Sequence, residues 1–140
     1  MISLNYDKTY LTWRVREHPF IKYDEYQVYH GSDLPAYAIV ALFEGKASIS
    51  DLTSEDQYAT SVLLDTIIKN YAEKVGDFVF LGNRKDPLAQ NVFDQLKQFG
   101  FSAYNGANFV VRDLAQNNNE QIFDISNWHF NGLWTEGYSR

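Results

Sequence analysis

The chain has 140 residues, 45% of them hydrophobic and 21% charged, with a formal net charge of −6. These values predict one soluble globular domain over residues 1–140, and the acidic balance argues against nucleic-acid partners. The chain has no Cys, which excludes disulfides, thiolate zinc sites and cysteine nucleophiles and is compatible with a cytoplasmic location.

The first half of the chain predicts a short helix followed by three antiparallel strands. The helix covers about Tyr10–Glu17 and ends before Pro19. The middle strand is almost entirely apolar, so we expect it at the centre of a sheet with both faces covered. The three strands are Glu25–Tyr29, Ala36–Phe43 and Lys46–Leu52, joined by turns at His30–Asp33 and Glu44–Gly45.

The second half predicts two helices, each with an apolar stripe. Ser54–Gln57 has the pattern of a capping box with acids in the first turn, and we expect Gly76 to close that helix. A short buried strand, Phe78–Leu81, precedes a second helix that begins at Asp86-Pro87 and stops at Gly100. The stripes are Leu64, Ile67, Ile68, Tyr71, Ala72 and Val75, then Leu88, Ala89, Val92, Phe93, Leu96 and Phe99.

A further strand, Asn108–Arg112, and an aromatic tail, Ile122–Tyr138, complete the chain. The predicted order is therefore β-β-β-α-β-α-β plus the tail. Antiparallel strands followed by βα connections predict an α+β fold, with a mixed sheet and helices on its faces. No stretch approaches the roughly 20 apolar residues of a membrane span, and the N-terminus does not resemble a signal peptide, so no membrane partner is expected.

Two segments carry candidate binding residues, and each also has a purely structural interpretation. Trp13, Arg14, Arg16 and Tyr23 could line a substrate site, because Trp stacks on rings and Arg pairs with carboxylate or phosphate. Alternatively, Trp13 fills an edge of the core and Arg14 pairs with an acid.

Arg84 and Lys85 precede the second helix, where main-chain N–H groups favour an anion. The alternative is an ordinary solvated turn. The three His residues lie in separate segments without ligand spacing, so no metal site is expected.

The block Tyr10–Tyr23 resembles a pattern found before the strands in the GNAT acetyltransferase superfamily. The resemblance is to the C-terminal half of tandem, FemX-like GNAT proteins of bacterial polysaccharide and cell-wall loci. It rests on Tyr10–Arg14 with His18-Pro19 and Tyr23, and it covers roughly Leu4 to Asp113. Weaker elements are Ile49–Leu52, Gly100-Phe101 and Trp128. The resemblance implies an acyl-CoA N-acyltransferase fold over the whole chain.

Two departures from the GNAT pattern argue against independent acetyl transfer. Active members bind the CoA pyrophosphate on a glycine-rich loop, whereas the matching segment, Thr53–Ala59, has no glycine and contains Glu55 and Asp56. Active members also often place a Tyr four residues before the final Gly-Phe, to protonate the departing thiolate. That position is Leu96, which has no proton to donate.

Three hypotheses follow from the resemblance. The chain is the accessory half of an acyltransferase, holding an amino-sugar or peptide acceptor and binding no cofactor itself. Alternatively, it is an active but divergent N-acetyltransferase that uses acetyl-CoA. The third hypothesis is a dimerisation or binding module, in which the tail Trp128–Tyr138 contacts a second copy or a partner GNAT half.

Overall fold

A mixed four-stranded sheet organises the chain, whose computed structural model describes residues 2–3, 7–103, 112, 120–130 and 133. The strands are β1 (Ile2–Ser3), β2 (Tyr23–His30), β3 (Asp33–Phe43), β4 (Lys46–Ser54), β5 (Asp77–Phe80) and β6 (Trp128–His129). The sheet has the order β2-β3-β4-β5, in which β5 runs parallel to β4 and the other pairs are antiparallel. Strands β1 and β6 form a separate parallel pair.

Helices connect and flank these strands. They are α1 (Lys8–Leu11), continued by a π-helical turn (Thr12–Arg16), α2 (Gln57–Tyr71) and α3 (Gln90–Gln98), with 3₁₀ turns at Pro87–Ala89, Glu120–Phe123 and Ile125–Asn127. The predicted α+β class with a mixed sheet is confirmed, as is the order of elements from the first helix to α3. Residues 108–111 of the predicted last strand and residues 131, 132 and 134–138 of the tail lie outside the described residues.

The two predicted hairpin turns are confirmed, and backbone conformation explains their residues. Gly31 and Gly45 have φ values of +64° and +76°, a region that glycine enters without steric cost. Glu44 shares the second turn with a φ of 51°. The prediction of a covered middle strand also holds, because Ala38–Ala41 are all at most 2% exposed.

A one-residue bulge at Ser50 changes the direction of the side chains along β4. Val40 of β3 is opposite Ile49, whereas Ile39 is opposite Asp51, so Ser50 is the extra residue. The parallel pairing of β4 with β5 ends at the Ile49–Phe80 pair, next to the bulge. The last residues of β4 are therefore paired only with β3 among the described strands.

The main core lies between one face of the sheet and the two long helices. Ile49 and Leu64 are fully buried there, and Leu96 is 4% exposed. The predicted stripe of α2 is partly wrong: the helix ends at Tyr71, so Ala72 and Val75 fall outside it, and Ala72 is exposed. The prediction that Gly76 closes this helix is wrong for the same reason. The buried residues of α2 are Ala59, Thr60, Leu63, Leu64, Ile67 and Tyr71.

The stripe predicted for the second helix is also partly wrong. Leu88 is 65% exposed, because it lies in the 3₁₀ turn, where successive side chains are about 120° apart and not 100°. Ala89, Val92 and Leu96 are buried as predicted. Gly100 ends the helix at a φ of +92°, which confirms the predicted stop.

The capping box predicted at Ser54 is wrong, since Ser54 is the last residue of β4. Strand pairing extends to the Ala36–Ser54 pair, so the cap of α2 lies two residues later, at Asp56, and the helix begins at Gln57. The Asp56 carboxylate accepts a hydrogen bond from the main-chain N–H of Ala59 at 2.7 Å. Glu55 and Asp56 thus precede the helix and do not lie in its first turn.

A smaller cluster covers the other face of the sheet. Val15 of the π-helical turn, Ile39 of β3 and Leu133 are each at most 3% exposed and pack together. Leu11 and Tyr23 border this cluster. The N-terminal helix is thereby held against the start of β2, where the candidate site lies.

Candidate functional site

An open groove of about 500 Å³ lies between the π-helical turn and the start of β2. Val15 and Ile21, which are 3% and 6% exposed, lie at its base. Its polar and aromatic lining includes Arg16, His18, Phe20, Lys22, Tyr23 and Glu25. Two of the predicted substrate-binding residues, Arg16 and Tyr23, therefore line one surface.

The loop that forms the groove is held by His18. The Nδ1 atom of His18 accepts hydrogen bonds from the main-chain N–H groups of Phe20 (3.2 Å) and Ile21 (3.0 Å). Because Nδ1 is an acceptor, the neutral ring carries its proton on Nε2. The ring also packs edge-on against Tyr23, with the ring centroids 5.9 Å apart.

Arg14 serves the packing of this region. It is only 7% exposed, and its guanidinium donates to the Tyr23 hydroxyl at 2.8 Å and to the Leu133 carbonyl at 3.3 Å. The guanidinium carbon also lies 5.9 Å from the centroid of the Tyr23 ring. Arg14 thus joins the π-helical turn to β2 and to residue 133, and it contacts Tyr23 of the groove lining.

Arg16 forms a bidentate pair with Glu25. Its Nε and one of its terminal nitrogens lie 3.2 and 3.1 Å from the two carboxylate oxygens. Both side chains are partly exposed, at 47% and 37%, so the pair contributes little to stability. The Glu25 bonds, and then its charge, raise the pKa of Arg16, which keeps a fixed positive charge at the groove.

Trp13 and Phe20 give the region an exposed aromatic surface. Trp13 is 66% exposed and packs edge-on against Tyr10, at 6.0 Å between ring centroids. Phe20 is 88% exposed and lines the groove directly. Trp13 is thus a neighbour of the groove and is not part of its lining.

The turn that carries Arg84 and Lys85 is organised by two buried polar side chains. Both basic side chains are exposed, whereas Asn83 and Asp86 are 5% and 1% exposed. Asp86 accepts a hydrogen bond from the main-chain N–H of Leu88 at 2.9 Å, which confirms its predicted role as a cap. The Lys85 charge contributes to a lowered pKa of Asp124, after the larger effect of hydrogen bonds from Ser126.

The same turn binds the C-terminal part of the chain. Asn83 Nδ2 donates to the carbonyls of Ile125 (2.6 Å) and Trp128 (2.8 Å), and Asp86 Oδ2 lies 2.5 Å from His129 Nδ1. The sequence contained no signal for these contacts, because their partners are more than 40 residues apart and no local pattern links them. His129 is consequently a structural partner of Asp86.

A buried polar cluster lies on the face of the sheet that the N-terminal helix covers. Asp51, just after the bulge, is 1% exposed and accepts a hydrogen bond from the Thr53 hydroxyl at 3.2 Å. Burial, and then the Asp51 charge, raises the pKa of Tyr37 to about 12. Tyr37 is therefore neutral at physiological pH.

Within the described ranges, no three His, Asp or Glu side chains are grouped as metal ligands would be. In the same ranges, no helix has both the length and the apolar character needed to cross a membrane.

Comparisons with known proteins leave the family open. No family model and no curated protein matches the chain. Among solved structures, the chain is similar to a point mutant of TTHA1254 from Thermus thermophilus, at 21% identity and a TM-score of 0.49. That match covers 64% of this chain and 70% of the other. At this distance it carries no inference about function.

Proposed function

We propose that the chain is a GNAT-like acyltransferase-family domain without a working CoA site, which serves as the acceptor-binding, accessory half of an acyltransferase. The observation that carries the proposal is the cap of α2. The Asp56 carboxylate, 2.7 Å from the Ala59 N–H, occupies the position where a pyrophosphate would contact main-chain amides. Glu55 adds a second exposed negative charge at the same place.

The electrostatic cost of a pyrophosphate there is substantial. Two like charges 4 Å apart in water repel each other by about 1 kcal/mol, and by more where water is excluded. The main-chain oxygen of Asp56 also accepts bonds from the Thr60 N–H (3.1 Å) and hydroxyl (2.9 Å), so the cap is held firmly in place. A bound diphosphate would have to displace this cap.

The side chain of Leu96 also supports the proposal, because it cannot act as a general acid. It is 4% exposed and packs in the main core between α3 and the sheet. A hydrocarbon side chain in this position offers no proton to a departing thiolate. The groove beside Phe20 and Lys22, in contrast, is open and lined by donors, as an acceptor-binding role requires.

A thermal-shift titration of the isolated chain with acetyl-CoA tests the proposal. We expect no shift at millimolar acetyl-CoA, with a CoA-binding GNAT enzyme as the positive control. A shift of several degrees would contradict the accessory role and favour the active, divergent N-acetyltransferase. In that case Asp56→Arg should increase the shift, while Asp65→Arg, on the exposed side of α2, should not.

A dimerisation module is the second candidate, and the exposed aromatic surface favours it. Trp13, Phe20 and Phe123 are 66%, 88% and 63% exposed, more than folding alone accounts for. Light scattering after size-exclusion chromatography tests this candidate. A dimer that dissociates in the Trp13→Ser or Phe123→Ser variant would support it, and a monomer at all concentrations would refute it.

A further inference from the structure

We propose that the groove between the π-helical turn and β2 binds a singly charged carboxylate attached to a body with an apolar or ring face. This inference rests on the proposed acceptor-binding function and names the chemical class of the ligand. Its support comes from three features of the groove: charge, donor arrangement and aromatic surface.

The charge of the groove selects for a monoanion. Arg16 and Lys22 supply two cations and Glu25 one carboxylate, so the lining carries one net positive charge on a chain of net charge −6. Glu25, whose side chain is 37% exposed, would repel the second charge of a phosphate dianion. A carboxylate matches the single excess charge.

The hydrogen-bond donors of the groove suit a ligand whose oxygen atoms accept hydrogen bonds. Both hydrogen bonds of His18 Nδ1 are made to the main chain of its own loop, so its Nε2–H is the donor left for a ligand. Among the described residues, this nitrogen has no hydrogen-bond partner. Together with the exposed Lys22, which also lines the groove, it gives two donors on one surface, which suits the two oxygens of a carboxylate.

The aromatic surface selects the rest of the ligand. Phe20 is 88% exposed beside these donors, although burial of a phenyl ring is favourable. A sugar ring or a small apolar side chain bound there would cover it. The carboxylate could therefore belong to a uronic acid or to a peptide terminus, and the two sources can be separated by experiment.

The test is an NMR titration of the ¹⁵N-labelled full chain with three probes: D-glucuronate, N-acetyl-alanine and the neutral D-glucose. We expect saturable shifts at residues 18–25 with at least one carboxylate, and at least tenfold weaker binding of glucose. The carboxylate that binds more tightly identifies the source. Equal binding of glucose, or no saturable shift with either carboxylate, would overturn the inference.

Matched variants locate the site. Lys22→Gln should weaken binding about tenfold, and Lys69→Gln, which removes an exposed lysine of α2, should leave it unchanged. His18→Asn keeps an acceptor for the two main-chain N–H groups but loses the Nε2–H, and should weaken binding three- to tenfold. Unchanged affinity in both the Lys22 and His18 variants would also refute the inference.

These outcomes are separable from those of the proposed function. A thermal shift with acetyl-CoA would refute the accessory role and leave a carboxylate site standing. Absence of carboxylate binding, in a chain that also fails to bind acetyl-CoA, would refute the ligand class alone.

Discussion

An Asp cap precedes each of the two long helices, and yet the two caps have different consequences for the molecule. Asp56 and Asp86 each have an extended backbone conformation and cap through one carboxylate oxygen, Asp56 at the start of α2 and Asp86 at the start of the 3₁₀ turn that leads into α3. Asp56 is exposed, and among the described residues its carboxylate makes no hydrogen bond beyond the cap. Asp86 is 1% exposed, and its second oxygen contacts His129, so that the same cap also holds the C-terminal part of the chain. A buried cap residue can therefore connect its helical turn to residues that are distant in the sequence.

The largest expected effect is that of Asp86→Ala. The change removes a helix cap and the buried contact to His129, so we expect a loss of about 3 kcal/mol in the free energy of unfolding. Urea denaturation measures it. Asp86→Asn, which retains an acceptor for the Leu88 N–H, should lose less. Equal losses in Asp86→Ala and Asp56→Ala would contradict the comparison.

The next effect is that of Asn83→Ala, which leaves the carbonyls of Ile125 and Trp128 without their donor. We expect a loss of about 2 kcal/mol and faster amide hydrogen exchange over residues 120–130. Exchange measured by mass spectrometry separates this segment from the sheet. Asn70→Ala, which removes an exposed amide on α2, is the control, and uniform acceleration over the whole chain would count against a local link.

The stability of the chain at alkaline pH adds a residue of the sheet, Tyr37, to the comparison of the two helix caps. An unfolded Tyr loses its proton near pH 10, whereas the pKa of Tyr37 is about 12. The contribution of the Tyr37 hydroxyl to the free energy of unfolding is therefore complete below pH 10 and is lost as the pH rises towards 12. Burial, and then the bond to Asp24, raises the pKa of Tyr71, so it acts in the same direction.

Between pH 9 and pH 11 we expect Tyr37 to account for a decrease of about 1 kcal/mol in the free energy of unfolding. Tyr37→Phe should remove that decrease in urea denaturation at the two pH values, while Tyr29→Phe, at an exposed position, should not. The Asp56 and Asp86 variants should keep the wild-type pH slope. A Tyr37→Phe chain with an unchanged slope would show that this hydroxyl is not the cause.

The smallest expected effect is that of Asp56→Ala, at roughly 0.5 to 1 kcal/mol, because an exposed cap is partly replaced by water. Asp56→Asn should leave the free energy of unfolding nearly unchanged while removing one negative charge. Thermal denaturation of the two variants measures the difference. A loss above about 2 kcal/mol for Asp56→Ala would mean that this cap, too, has a long-range role.

The sequence was informative wherever structure depends on neighbouring residues. The hairpin glycines, the Asp86 cap and the Gly100 stop each act within a few positions and were predicted. The start of α2 was misplaced, because Ser54 and Asp56 are both good caps and only the pairing of Ser54 with Ala36 decides between them. Similarly, the exposure of Leu88 depends on a 3₁₀ turn that an apolar stripe does not reveal.

The location of the candidate site could be predicted from the sequence, but the role of each residue in it could not. The block from Trp13 to Tyr23 does form a surface, yet nothing local distinguishes Arg14, which is buried beside Leu133, from Arg16, which lines the groove. The contact between Asp86 and His129 depends on chain paths 43 residues apart. Such contacts are set by tertiary packing.

Ser50, the extra residue in β4, determines which face of the sheet each later side chain of the strand lies on. Before Ser50 the odd-numbered positions Ala47 and Ile49 contact the helices, whereas after it the even-numbered Leu52 does so. If Ser50 instead paired with Ile39 in a regular ladder, the Asp51 carboxylate would face the hydrocarbon interior and Leu52 would turn towards the opposite layer. The apolar pattern of β4 on its two sides of Ser50 therefore fits the sheet only with the bulge in place.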